Sequence, residues 1–174
     1  MNSLQRLTDE VAARLRNRLK ARVGITGHLR VERMDGEVLF DDHNTVVYAG
    51  IGALVDALQA QAYVNTYKYV GFGTGNTGTQ ATDTQLGSEV TGGTYARLTA
   101  TQGEGDNARE YRLSGTWTNS SGSTQAVTEY GIFSAATEGT MLARACQADG
   151  DVATKTVANG ETIAVTWDLQ FADA

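Results

Sequence analysis

The segment 162-TIAVTWDLQF-171 decides the fold class. Ile163, Val165, Trp167, Leu169 and Phe171 alternate with Thr162, Ala164, Thr166, Asp168 and Gln170. A strand turns successive side chains to opposite faces, so this pattern demands an extended strand with an apolar face inward and a polar face outward. The segment 110-EYRLSGTWT-118 follows the same rule through Tyr111, Leu113 and Trp117. The strands predicted from such patterns cover 67–73, 94–102, 109–118, 125–134, 140–147 and 161–171. Clusters rich in turn residues separate them: 103-GEGDN-107, 119-NSSG-122, Asp149-Gly150 and Asn159-Gly160. Short strands at close spacing with such turns predict a mainly β fold, an antiparallel β-sandwich of jelly-roll or Ig-like type.

Upstream, residues 28–43 read as a β-hairpin. HLRVER and EVLFDD flank Met34-Asp35-Gly36, and Asp-Gly is a strong turn signal. Residues 46–62 read as a helix, because Val47, Ile51, Leu54, Val55 and Leu58 keep helical spacing. Gly50 and Gly52 cost that helix about 1 kcal/mol each against Ala, a cost that close packing on a sheet would explain. Residues 3–22 form the clearest amphipathic helix. Leu4, Leu7, Val11, Leu15 and Leu19 make one apolar stripe, and Ser3 suits the N-cap. Asp9 and Glu10 sit early, Glu10 faces Arg14 one turn on, and Arg16, Arg18, Lys20 and Arg22 sit late, as the helix dipole prefers. Gly24 and Gly27 end it. The expected layout is a basic helical arm over 1–24 and a sandwich body over 25–174 that includes the hairpin and the packed helix; the arm helix either packs on its own body or leaves it to dock on a neighbouring subunit.

Charge supports that division. Residues 1–33 hold eight Lys/Arg against three Asp/Glu, whereas residues 34–174 hold six against seventeen. A net charge of -6 argues against binding nucleic acid by bulk attraction. The single cysteine, Cys146, cannot build a disulfide framework or a Cys-based zinc site, and is expected to pack as a small hydrophobe. No window is long and apolar enough to predict a membrane span, and the first residues lack a signal-peptide pattern.

The one phosphate-like motif is Gly73-Thr-Gly75-Asn-Thr-Gly78. A dinucleotide fingerprint needs a helix opening at its last glycine. Thr79-Gln-Ala-Thr-Asp-Thr-Gln85 has no helical periodicity, so the motif reads as a Gly/Thr loop with a short turn over 83–90. His28 and His43 flank the hairpin, with Asp41-Asp42 beside His43, but no nucleophile motif accompanies them. Glu89, Glu104, Glu110, Glu129 and Asp168 are candidates for a carboxylate pair. Glu129 sits in an apolar strand and calls for an arginine partner, with Arg97, Arg112 and Arg144 all eligible. Trp117 and Trp167 share faces with apolar residues, which favours burial over a sugar platform. No catalytic, cofactor or metal residue is predicted.

Four stretches together resemble a family of tailed-bacteriophage structural proteins: 44-NTVVYAGIGALVDAL-58, 70-VGFGTGNTGTQATDTQLGSEV-90, 127-VTEYGIFSAATEGTMLARA-145 and 160-GETIAVTWDLQF-171. The resemblance spans about residues 37–172 and leaves out 1–36. It implies a virion component; the lack of a signal-peptide or membrane-span pattern adds the expectation of synthesis in the host bacterial cytoplasm, and the lack of a catalytic constellation that of a non-enzymatic part. A capsid decoration (cement) protein is the first expectation. It would bind the major capsid protein or other virion proteins, as a homo-oligomer, with no contact to nucleic acid or membrane. The expected gripping residues are Leu4, Leu7, Val11, Arg14, Leu15, Arg16, Arg18, Leu19, Lys20 and Arg22. One alternative is a tail, baseplate or fibre component. Another is a carbohydrate-binding module using the Gly/Thr loops and Trp117.

Overall fold

The strand of strict alternation lies inside an antiparallel sheet, with a neighbour on each side. The computed structural model describes residues 23–60, 67–150 and 155–173; the predicted arm helix over 3–22 lies outside them. In chain order the elements are β1 (Val23–Arg33), β2 (Val38–Val46), α1 (Tyr48–Ala60), β3 (Tyr69–Gly73), β4 (Leu98–Thr99), β5 (Thr101–Glu104), β6 (Glu110–Thr118), β7 (Gln125–Ala126), β8 (Glu129–Phe133), β9 (Met141–Cys146), a 3-10 turn (Gln147–Asp149), β10 (Thr156–Val157) and β11 (Thr162–Asp173). β11 pairs antiparallel with β1 on one side and β6 on the other, and Ile163, Val165, Trp167 and Leu169 all point into the core. The predicted hairpin is β1–β2, with longer arms than the alternation alone suggested. Its turn closes with Gly36 at φ 92°, a left-handed position that suits glycine. A register shift opposite Val31–Glu32 breaks the two-residue period and buries both Leu39 and Phe40.

The expected sandwich is corrected. Nine strands form one sheet in the order β4-β3-β8-β9-β2-β1-β11-β6-β5. Its two edges are consecutive in the chain. β4 pairs with β3, β5 pairs with β6, and the Ala100 amide between them donates to the Lys68 carbonyl. The sheet therefore nearly closes on itself as a barrel. β2 makes the opposite corner, pairing through 27–32 of β1 along most of its length and through Thr45 and Val46 with β9. Alternation reports which residues face inward but not which strand lies alongside, so sandwich and closed sheet look alike in sequence. Near-closure leaves little free strand edge to pair with other chains.

Aromatic rings fill the interior. Phe72 stacks on Trp117 with centroids 4.1 Å apart and planes 14° from parallel, and Tyr130 meets Phe72 edge-on. Trp117 Nε1 donates to the Ala96 carbonyl, and Trp167 Nε1 to Asn44 Oδ1. α1 begins at Tyr48, two residues after the predicted start at 46, and the predicted positions 61 and 62 lie outside the described residues. It lies against β9, and a Cβ on Gly50 would sit 2.5 Å from the Leu142 carbonyl oxygen. Gly50 is thus the close-packing glycine expected from the sequence, whereas Gly52 faces open space. No helix among the described residues is long and apolar enough to cross a membrane.

Candidate functional site

β3 ends at Gly73, and the chain makes an excursion that returns to the same place. The Thr74 amide donates to the Ser88 carbonyl and the Val90 amide to the Phe72 carbonyl. Inside this loop stands Glu129, fully buried at the start of β8. Its carboxylate accepts from the amides of Gly75 (2.9 Å), Gly87 (2.9 Å) and Ser88 (2.6 Å). Arg144 on β9 adds Nε (3.1 Å) and Nη2 (2.7 Å), both to Oε2. Five donors around one carboxylate compensate its loss of water. Arg144 is the partner chosen from the three eligible arginines. It also binds Asp83 through Nη1 (2.8 Å) and the Thr77 carbonyl through Nη2. Burial works against its charge, but the bonds to Asp83 and Glu129 outweigh it and hold the guanidinium above its ordinary range.

The glycines of the opening motif now have a physical role. A Cβ on Gly73 would fall 2.5 Å from Glu129 Oε1, and one on Gly75 would fall 2.9 Å from its Cδ. The loop does present amides to an anion, but the anion is the protein's own carboxylate. Thr128 reinforces the arrangement, its hydroxyl donating to the Gly75 carbonyl and its amide to that of Gly73. Asp149 accepts the Thr79 amide. No helix begins after Gly78 to hold a pyrophosphate.

A second ion pair fastens the far end of the loop. Arg97, buried, makes a two-pronged contact with Glu89 at 2.7 and 2.8 Å. Its Nη1 donates to the carbonyls of Ala135 and Glu138, and its guanidinium lies 3.5 Å over the Phe133 ring. Tyr95 donates its hydroxyl to Glu89 and accepts the Phe72 amide. Burial, foremost, raises the Tyr95 phenol well above its ordinary value of 10.0, and burial alone does the same for Tyr130.

Those two tyrosines carry a prediction for alkaline solution. Unfolded tyrosines ionise near pH ~10, whereas these folded ones hold their protons to higher pH. The fold binds protons more tightly than the unfolded chain, so their contribution to stability is complete below about pH 10 and declines above it. Urea midpoints should be level through neutral pH and fall beyond about 10. Midpoints that stay flat across that range would show that neither phenol is held as described.

The remaining candidates are dispersed. Arg112 pairs with Asp168 at 2.6 and 2.9 Å on the outer face of β6 and β11. Glu110 binds the amide of Asp106, while Glu104 is exposed. His28 bonds Asp41 at 2.8 Å and meets His43 edge-on at 5.8 Å; His43 Nδ1 lies 3.3 Å from the Gly27 carbonyl. Their partners are a carboxylate and main chain, with no nucleophile. No cluster among the described residues could hold a metal ion. Trp117 and Trp167 are core residues, so neither offers a sugar platform. Cys146 is buried, and burial raises its thiol. All ten predicted gripping residues lie outside the described residues. Sequence reasoning missed Asp83 and the stacking of Arg97 on Phe133. It also missed the buried Asn119, which bonds the carbonyls of Ser123 and Val157. The only signal was a polar residue embedded in a motif.

The residues of the buried network fall inside one stretch. A family model for podophage GP4 fiber I protein gp80 matches residues 52–168, more than half of the chain. The chain belongs to the podophage GP4 fiber I protein gp80 family. The match supports a tailed-bacteriophage virion structural protein family, as the resemblance implied. The fiber I match takes in the Glu129 clamp, the Glu89–Arg97 pair and most of β11, and it leaves out β1 and β2. Comparison with curated proteins and with solved structures gave no match.

Proposed function

We propose that the chain is a non-enzymatic component of the phage fibre or tail, held in the virion by contacts with other virion proteins. The match to a fibre protein family carries this reading. It favours the tail and fibre alternative over the capsid decoration first expected, for which the match offers no support. The chemistry of the loop agrees with a structural part. Glu129 and Arg144 hold loop backbone, and Glu89 fixes Arg97, which holds the carbonyls of Ala135 and Glu138.

Immunogold labelling of intact virions tests the location. Gold should cluster on fibres or at the tail. Even labelling over the head would restore the decoration reading, and unlabelled particles would remove the chain from the virion.

A further inference from the structure

One face of α1 has no cover among the described residues. Tyr48 is 66% exposed, Ile51 40% and Val55 46%. They stand three and four residues apart and so form a single row. The opposite side of the helix is satisfied, with Gly50 against Leu142 and with Ala53 and Leu54 against the core. The row Tyr48–Ile51–Val55 is an apolar surface without a partner among the described residues.

The occupant is indicated by chain geometry. β1 and β2 run antiparallel with Gly27 opposite Asn44. Beyond that pair β2 turns to β9 through Thr45 and Val46, while Val23–Thr26 of β1 stay paired with β11. Residues 1–22 therefore join the described fold four residues before the Gly27–Asn44 pair, and α1 begins four residues after it. Their apolar stripe is Leu4, Leu7, Val11, Leu15 and Leu19. As a helix, 22 residues would span roughly 33 Å and the 13 residues of α1 roughly 20 Å, so the segment is long enough to turn back and cover the row. Charge favours the same contact, because the basic segment, with six Lys/Arg against two Asp/Glu over 1–22, would meet a body with eighteen acidic residues against eight basic ones.

A second copy is the weaker occupant. Three side chains offer a few hundred Å², against the roughly 800 Å² per partner of a stable interface. A tethered segment does not face the translational cost of bringing two molecules together. We infer that residues 4–19 dock through their leucine stripe on Tyr48, Ile51 and Val55 of the same chain. This contact stands or falls independently of the fibre assignment.

The test uses the full chain. Amide hydrogen exchange over residues 4–19 should be at least tenfold slower than in a peptide of that sequence. The double variant Ile51→Asp/Val55→Asp should lose this protection while β11 keeps its own, which shows that the body is folded. Protection that survives the substitutions, or none in the native chain, overturns the inference. A second measurement does not depend on the variant folding. A photo-crosslinking residue at position 51, in an equal mixture of isotopically heavy and light chains, should link to residues 4–19 within unmixed chains only. Heavy–light links would assign the face to a second copy, and absence of links to 4–19 would leave the arm elsewhere; either result sinks the proposal.

Discussion

Glu129→Ala is expected to lower stability by about 3–5 kcal/mol, the cost of stranding a buried charge by deleting its partner. Arg144, buried beneath the loop, loses both bonds to Oε2 and keeps only Asp83 and the Thr77 carbonyl. Three loop amides, at Gly75, Gly87 and Ser88, lose their acceptor together. The damage should concentrate in residues 74–90, where local opening becomes easier than global unfolding. Urea unfolding measures the total, and hydrogen exchange locates it. Arg144→Met in the same chain gives the control. If the two groups act as one unit, the double variant loses clearly less than the sum of the single variants. A loss under about 1 kcal/mol for Glu129→Ala, or strict additivity, would mean that the loop is held by something other than this carboxylate.

Trp117→Ala should cost a similar amount, about 3–5 kcal/mol, for a different reason. The indole is only 4% exposed, stacked face to face on Phe72 and touched edge-on by Tyr95. Truncation leaves a cavity between β3 and β6 that rigid neighbouring strands cannot fill. It also removes the Nε1 bond to the Ala96 carbonyl. Trp117→Phe keeps most of the ring contact and should lose markedly less. The measurement separates two readings of the residue. A sugar-stacking tryptophan could be truncated with stability almost unchanged and glycan binding lost. A core tryptophan shows the reverse, a lower urea midpoint whatever is bound. A stable Trp117→Ala chain would contradict the burial described here.

The fibre assignment and the clamp bear on each other. The sequence pattern that marked the family is nearly the same set of residues that builds the clamp. Gly73 and Gly75 admit the carboxylate, Asp83 and Arg144 flank it, and Gly87 and Ser88 close over it. Thr128 stitches the loop to β8. What looked like a motif for chemistry is a motif for holding a long loop against the end of a barrel-like sheet. A loop so held keeps one shape because its backbone polar groups find partners inside the protein, and those bonds offset the entropy lost in ordering it.

Much of this was legible from residues alone, and the limit falls at a definite physical point. The hairpin turn at Asp35-Gly36, the inward row of β11, the burial of both tryptophans and the demand of Glu129 for an arginine all follow from local rules. Each depends on neighbours within a few positions: a two-residue period, a left-handed turn, an acid in an apolar strand. Arg144 could not be singled out from Arg97 and Arg112, because its distance to Glu129 is set by the pairing of β8 with β9. Nor could Gly73 and Gly75 be read as a carboxylate cradle, since the carboxylate arrives from more than fifty residues downstream.

The amino-acid order by itself determined which residues turn inward, where the chain reverses, and that a helix lies between two β regions, since side-chain alternation and turn chemistry act over short range. Only the tertiary structure decided that residues 98–104 bridge the two edges and nearly close the sheet, that the glycine loop encloses Glu129, and that Tyr48, Ile51 and Val55 are left outside. Those outcomes depend on which strand lies beside which, and backbone hydrogen bonds, being the same for every residue, leave no mark of that choice in a single sequence.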